Sequence, residues 1–353
     1  MTIAVLLTSL TALLALIFSI ALFDQWLERR RGFQLIWALG MAFFAIAAAC
    51  EAIGALFGWN DALYRTWYLT GAVYTAGWLG LGTAYLLGKT RFGYTYGALL
   101  LLGGLIAFAA RNRYPDAATF AILLLIAALV IALAIAVETY FQNERWPQIA
   151  ALALVVASAI AAVLAFTQPL ATSGFTLDPR TGVPTGDAIP GTLRLISLVI
   201  NVTGGLALAL GALFSAYIFM PKKRVLDYSL DPGQPGDQFL FNIIIACVAI
   251  PVNFVASIPG AIVALFTGKI HSRVPATLLI GLGAVIASGT DTLSRLGSTD
   301  LFQVGKFAAV LLIFVGFLVS IEAFREIRIP FTHHVLRGGR SERANVAQTD
   351  GAG

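Results

Sequence analysis

The chain has 353 residues, of which 59% are hydrophobic and 12% are charged, and its formal net charge is +5. A soluble protein carries roughly a quarter charged residues, so this composition excludes a set of soluble domains and places most of the chain against lipid. Most of the Lys and Arg residues lie in short loops and in the tail, where no folded basic patch can form. We therefore expect no nucleic-acid binding.

Ten hydrophobic runs, most of them long enough to span a bilayer, follow one another along the chain. Short turns separate most of them, and two longer connectors, 168–190 and 221–238, are rich in turn-forming residues. The predicted spans are Thr2–Phe23, Phe33–Trp59, Thr66–Leu87, Tyr94–Ala110, Ala118–Tyr140, Gln148–Thr167, Gly191–Met220, Phe239–Phe266, Pro275–Thr290 and Phe302–Phe324. The sequence predicts an all-α fold, a polytopic transmembrane helix bundle over residues 1–324. A basic, partly disordered C-terminal tail follows over residues 325–353.

The distribution of charge predicts how the bundle is oriented. Three arginines, Arg29 to Arg31, follow the first span, which favours a retained helix with its N-terminus outside. In that orientation the inner loops after the first, third, fifth and seventh spans hold nine Lys and Arg, and the outer loops after the second, fourth and sixth hold four. The basic tail also belongs inside, which requires nine crossings, whereas ten spans place it outside. Pro275–Thr290 is the weakest span, so nine or ten crossings stay open, in the inner membrane of a bacterium.

Glu51 is the clearest charged residue within a predicted span. It precedes the boundary residue Trp59 by about 12 Å at 1.5 Å per residue. A charge at that depth is unfavourable by a few kcal/mol, so it needs a partner or a function. Glu51 is either a proton- or cation-responsive carboxylate or one member of a structural hydrogen bond or ion pair.

The seventh span offers a partner for Glu51. Polar and small residues recur along one face of it, a pattern typical of close helix contacts in membranes: Arg194, Ser197, Asn201, Gly204, Leu208, Gly211 and Ser215. Glu51 and Arg194 both fall in the outer half, which predicts an ion pair between them. In the alternative, the Arg194 side chain extends to the outer interface.

The eighth span contains Pro251 and Pro259, which interrupt helical hydrogen bonds on either side of Asn253. Broken helices beside polar side chains line substrate sites in transporters, and they also occur as plain kinks. We place Asn253 in the outer half, with Tyr68 and Tyr74 of the third span beside it. The hypothetical ligand-binding set is Glu51, Arg194, Asn201, Asn253, Tyr68 and Tyr74.

Enzyme chemistry finds little support in the sequence. The three histidines, His271, His333 and His334, lie outside the spans, and no hydrolase, metalloprotease or phosphate-loop motif occurs. Lys306 lies near the start of the last span, where extension to the interface explains it best. We therefore predict no catalytic residue, no metal ligand and no cofactor.

Several segments of the first half carry a family resemblance. The stretch Trp37 to Glu51, then 64–72 and 80–87, resembles an uncharacterised family of bacterial multi-spanning membrane proteins. The pattern of the first seven spans is also similar to the seven-helix sensor modules of some histidine kinases. That likeness implies a sensor, but the chain carries no kinase domain. Neither resemblance supplies a substrate or a catalytic residue.

Two functions follow from these observations. The first is a small-molecule or ion transporter, or a permease component, with a polar site in the outer half. The second is a non-catalytic membrane subunit or sensor that acts through protein partners. The expected partners are the lipid bilayer and, for the second function, another membrane protein or a second copy. Polar groups around an open cavity would favour the first function, and a closed bundle with an exposed apolar groove would favour the second.

Overall fold

A computed structural model describes residues 3–170, 174–178, 182–229, 233, 235–267, 273–295, 302–319, 327–328 and 335–337. It is an all-α helix bundle, as predicted. The α-helices are α1 Ile3–Arg29, α2 Gly32–Phe57, α3 Asp61–Trp67, α4 Thr75–Leu86, α5 Phe92–Ala109, α6 Ala118–Tyr140, α7 Trp146–Thr167, α8 Gly191–Phe219, α9 Gly236–Phe266, α10 Arg273–Arg295 and α11 Phe302–Val319. A π-helix, Tyr68–Tyr74, joins α3 to α4, and two short strands, β1 Ile327–Arg328 and β2 Val335–Arg337, pair antiparallel.

Eight of the described helices are long and apolar enough to cross a membrane. They are α1, α2, α5, α6, α7, α8, α9 and α11, and α10 contributes a shorter apolar stretch, Val274–Thr290. Large apolar side chains on these helices are widely exposed, as expected for surfaces that face lipid. The chain is therefore a multi-pass membrane protein. The predicted third span, Thr66–Leu87, is the consecutive unit of α3, the π-helix and α4.

From α1 to α8, with α3, the π-helix and α4 counted as one unit, successive units run in alternating directions, and this defines two ends of the bundle. We call the end where α1 begins the near end and the end where α1 finishes the far end. Tyr64 near the start of α3 bonds to Thr185 before α8, so α3 and α8 both begin at the near end. Trp146 at the start of α7 bonds to Gly88 after α4, so both lie at the far end.

The last helices are inserted into this arrangement antiparallel to one another. Gly205 of α8 faces Ser288 of α10, whereas Gly281 faces Ala212, so α10 runs from the far end to the near end. Gly305 of α11 packs on Thr290, and α11 therefore returns to the far end. The weakest predicted span, Pro275–Thr290, is thus packed between two helices of the bundle.

Close packing at glycine holds α4 against α8. A Cβ atom added at Gly80 would overlap the backbone carbonyl of Gly204, and one added at Gly204 would overlap the carbonyl of Ala76. Small residues let membrane helices approach to backbone contact, where dispersion forces replace the missing hydrophobic driving force. This contact fixes the discontinuous α3–α4 unit on the polar face of α8.

Candidate functional site

Glu51 lies in a buried cluster of polar side chains, close to the end of the bundle that we call the near end. Its Oε1 atom accepts hydrogen bonds from Trp67 Nε1 at 2.8 Å and Lys306 Nζ at 2.5 Å. Its Oε2 atom accepts a bond from Gln303 Nε2 at 3.1 Å. The residue is 2% exposed. Both carboxylate oxygens are therefore satisfied inside the protein, and we call these four residues the Glu51 cluster.

The four residues come from three separate elements. Glu51 lies six residues before the end of α2, Trp67 ends α3, and Gln303 and Lys306 occupy the first turn and a half of α11. The ammonium group of Lys306 also lies 4.8 Å from the Phe302 ring centroid and 5.8 Å from that of Phe44. Aromatic faces attract a cation. The cluster therefore ties the first pair of helices to the last helix through opposite charges.

The π-helix is stabilised by side chains of α8 and by that of Thr75, the first residue of α4. The carbonyl of Ala72 accepts hydrogen bonds from Ser197 Oγ at 2.5 Å and from Asn201 Nδ2. Thr75 Oγ1 donates to the Thr70 carbonyl, at 2.8 Å. Backbone groups freed by irregular helix must find other partners in a membrane. The polar face predicted for α8 therefore stabilises the discontinuity in α3–α4, and π-helical turns frequently occur at functional sites.

Two polar atoms beside the π-helix have no hydrogen-bond partner among the described residues. They are Trp78 Nε1 and Ser158 Oγ, both buried. Tyr74 lies between their helices, because its hydroxyl donates to the Ser158 carbonyl at 2.8 Å and its ring and that of Trp78 both pack on Phe43. Buried polar atoms are usually paired, so an unpaired donor and acceptor call for a partner such as water or a ligand.

The connector before α8 covers the near end above Trp67. Trp59 Nε1 donates to the Gly182 carbonyl at 3.1 Å, and the Tyr64 hydroxyl donates to the Thr185 carbonyl at 2.9 Å. Phe175 stacks on Tyr64 with ring centroids 4.6 Å apart. The described parts of this connector therefore close the near end over α3.

The predicted ion pair between Glu51 and Arg194 is wrong. Arg194 bonds to the carbonyls of Gly186 and Ile189 and lies 3.4 Å from Asp187, all in the connector before α8. Lys306 occupies the place expected for the Arg194 guanidinium. These contacts take the Arg194 side chain to the connector at the near end, and the alternative, that it extends to the outer interface, stays a prediction.

Asn253 also lies elsewhere than predicted. Its side chain bonds to the backbone of Val225 and Leu226, which follow α8 at the far end. Arg194 belongs to the opposite, near end of the same helix, so Asn253 cannot join it. Tyr68, Tyr74 and Asn201 do lie together. The two tyrosines are the first and last residues of the π-helix, and Asn201 bonds to a carbonyl of that helix. Whether these residues bind a ligand stays a prediction.

Sequence reasoning missed three members of the Glu51 cluster, namely Trp67, Gln303 and Lys306. The prediction that Lys306 extends to the interface is wrong, because Lys306 lies four residues into α11, at the depth of Glu51, and bonds to it. The sequence does contain a signal, an acid and a base at equal depth in the membrane, but Arg194 carries it as well as Lys306. Within the described residues, no group of three or more His, Cys, Asp or Glu side chains could hold a metal ion.

No family model, curated protein or solved structure matches the chain, so its resemblance to a bacterial family stays a prediction.

Proposed function

We propose that the chain is a non-catalytic subunit or sensor of the bacterial inner membrane that acts through protein partners. Its N-terminus lies outside, as the loop charges indicate. The observation that carries the proposal is the closed state of the Glu51 cluster, in which every oxygen of a 2%-exposed carboxylate is bonded within the protein. A site of this kind holds helices in a fixed arrangement.

An apolar groove on the outside of the bundle supports the same proposal. It has a volume of about 190 Å³ and lies between α1 and α2. It is lined by Ser19, Ile20, Phe23, Leu35, Ala38, Leu39 and Ala42. The one hydroxyl in this lining, that of Ser19, already donates to the Ala38 carbonyl at 2.8 Å. The groove therefore offers only dispersion contacts, which suit the apolar side chains of a partner helix.

The ion pair gives such a protein a way to respond. Glu51 on α2 and Lys306 on α11 hold the grooved α1–α2 pair against the last helix. A proton or a cation that neutralised Glu51 would weaken this link, since the attraction depends on both charges. The geometry of the groove would then change with the state of the pair, which couples a signal at the near end to a partner in the membrane.

A second candidate function, transport of a small molecule or ion, is favoured by a different observation. The discontinuous α3–α4 unit lies beside the unpaired Trp78 Nε1 and Ser158 Oγ atoms. Discontinuous membrane helices with polar neighbours form transport sites in many carriers. In this candidate the described structure is a closed state, and the Glu51 cluster is the charged part of the site.

Ion flux separates the two functions. Wild-type protein and Glu51→Gln are reconstituted into liposomes containing a pH-sensitive dye, and proton and potassium fluxes are recorded over a range of pH, with an ionophore as positive control. The proposal predicts that neither protein gives a flux above the leak of protein-free liposomes. A wild-type flux above that leak which disappears in Glu51→Gln would contradict it and establish transport.

A further inference from the structure

The end of α8 and the start of α10 lie at the same end of the bundle, and the longest described helix, α9, comes between them in the chain. The buried cluster at the far end joins Tyr217 and Met220, at the end of α8, to Val274 at the start of α10. Since α10 is antiparallel to α8, the chain leaves the bundle and re-enters it at the far end. The chain between these points, which contains the 31-residue α9, therefore makes no net crossing of the bundle.

The middle of α9 is bonded to the segment that leaves α8. Asn253 Oδ1 accepts hydrogen bonds from the backbone nitrogens of Val225 at 2.7 Å and Leu226 at 2.9 Å, and Asn253 Nδ2 donates to the Leu226 carbonyl at 2.7 Å. One turn later, Ser257 Oγ accepts from the backbone nitrogen of Lys223 at 2.9 Å. Residues 223–226 therefore run alongside α9, at the level where α8 ends.

The two faces of α9 differ in what they contact. Its buried positions repeat at helical spacing on one side, and they are Ala246, Ala249, Asn253, Ser257, Ala261 and Ala264. Large exposed apolar side chains occupy the other side, among them Phe241, Ile244, Val248, Val255, Val263 and Phe266. Such a face is unstable in water and stable against acyl chains. A helix with this face, in a part of the chain that makes no net crossing, suits a position along one membrane surface.

The segment held by α9 is basic. Lys222, Lys223 and Arg224 are all exposed, and Asp227 is the acidic residue that follows them. We propose that α9 and residues 221–226 form a membrane-surface face at the far end. Its apolar side lies in the interface, and its three cations bind the headgroups of anionic lipids. Basic residues next to an interfacial helix are the usual sequence signal for anionic lipid.

The position of α9 is tested by labelling single cysteines with a membrane-impermeant maleimide in sealed vesicles. In a Cys50→Ala, Cys247→Ala background, Gln238→Cys and Thr267→Cys report the two ends of α9. Glu144→Cys reports the far end and Asp61→Cys the near end. We expect both α9 positions to label from the same side as Glu144→Cys. Labelling of either position from the side of Asp61→Cys would show that α9 crosses the membrane and would overturn the proposal.

The lipid is tested with nanodiscs that contain equal amounts of phosphatidylglycerol and phosphatidylcholine. The retained lipid is counted by native mass spectrometry. We expect retained phosphatidylglycerol to fall about tenfold when Lys222, Lys223 and Arg224 are replaced together by glutamine, because each cation contributes to headgroup attraction. Replacement of Arg111 and Arg113, at the near end, by glutamine is the matched control. It should change the amount of retained phosphatidylglycerol little. Equal retention in wild type and the triple variant would overturn the proposal.

Discussion

Removal of either partner of the Glu51–Lys306 ion pair destabilises the bundle, and the structure predicts which removal is worse. Glu51 is 2% exposed, whereas the Lys306 side chain is 14% exposed and lies about 6 Å from the start of α11 at 1.5 Å per residue. An unpaired Lys306 can extend its ammonium group toward the near-end surface. An unpaired Glu51 has no such route, because its chain is short and its position deep.

We expect Lys306→Met to lower the free energy of unfolding by about 3–5 kcal/mol, the range for one charge left unpaired in a protein interior. Glu51→Gln should lower it by about 2 kcal/mol, because the freed lysine rehydrates in part. The double variant removes both charges and should therefore be less destabilised than the sum of the two. The glutamine amide can still accept the bond from Trp67 Nε1, which limits the damage further.

The assay is equilibrium unfolding by SDS in mixed micelles, followed by circular dichroism, for wild type, both single variants and the double variant. A double-mutant cycle gives the coupling energy of the pair. Additive single effects would refute the reasoning, since they would mean that the two charges do not interact. A larger effect of Glu51→Gln than of Lys306→Met would refute the proposed asymmetry.

Two further predictions concern the α4–α8 contact and the π-helix. Gly80→Ala should prevent close approach of α4 to α8, because its Cβ would overlap the Gly204 carbonyl. We therefore expect a large loss of folded protein after detergent extraction, measured by size-exclusion chromatography. Asn201→Leu removes a donor to the Ala72 carbonyl and should lower the free energy of unfolding by about 1–2 kcal/mol, measured in the SDS assay.

Each of these predictions has a control within the chain. Gly260→Ala adds the same methyl group at a helical position with nothing within 4 Å, and it should leave the yield of folded protein unchanged. Equal losses for Gly80→Ala and Gly260→Ala would contradict the close contact. Asn201→Ser retains a short hydroxyl beside Ser197 and should be milder than Asn201→Leu. If Asn201→Leu is as stable as wild type, the bond to Ala72 contributes nothing.

Hydrophobicity alone predicted the helical fold and the approximate bounds of its membrane helices. Spans are readable because a lipid-facing helix must be apolar over its whole length and its loops must be polar. The cost of an isolated charge in lipid also identified Glu51 as a residue that needs a partner. These conclusions depend only on the local composition of each segment, which can be read from a single sequence.

The partner of Glu51 could not be predicted from local composition. Arg194 and Lys306 both lie near the start of a predicted span, so membrane depth does not distinguish them, and the choice depends on which helices pack together. α9 illustrates a second limit. A helix that is apolar and long has the same hydropathy whether it crosses the membrane or lies along its surface. The predicted depth of Asn253 assumed a crossing, whereas its side chain bonds to residues that follow α8 at the far end.

Occupancy of the α1–α2 groove by a partner helix tests the proposed function most directly. A photo-crosslinking amino acid at Leu39 of the groove is compared in intact cells with the same residue at Leu123, an exposed lipid-facing position of α6. We predict a crosslinked polypeptide at Leu39, either a second copy or another membrane protein, and none at Leu123. Crosslinks to lipid alone at Leu39, or the same protein products at both positions, would contradict a function that depends on partners.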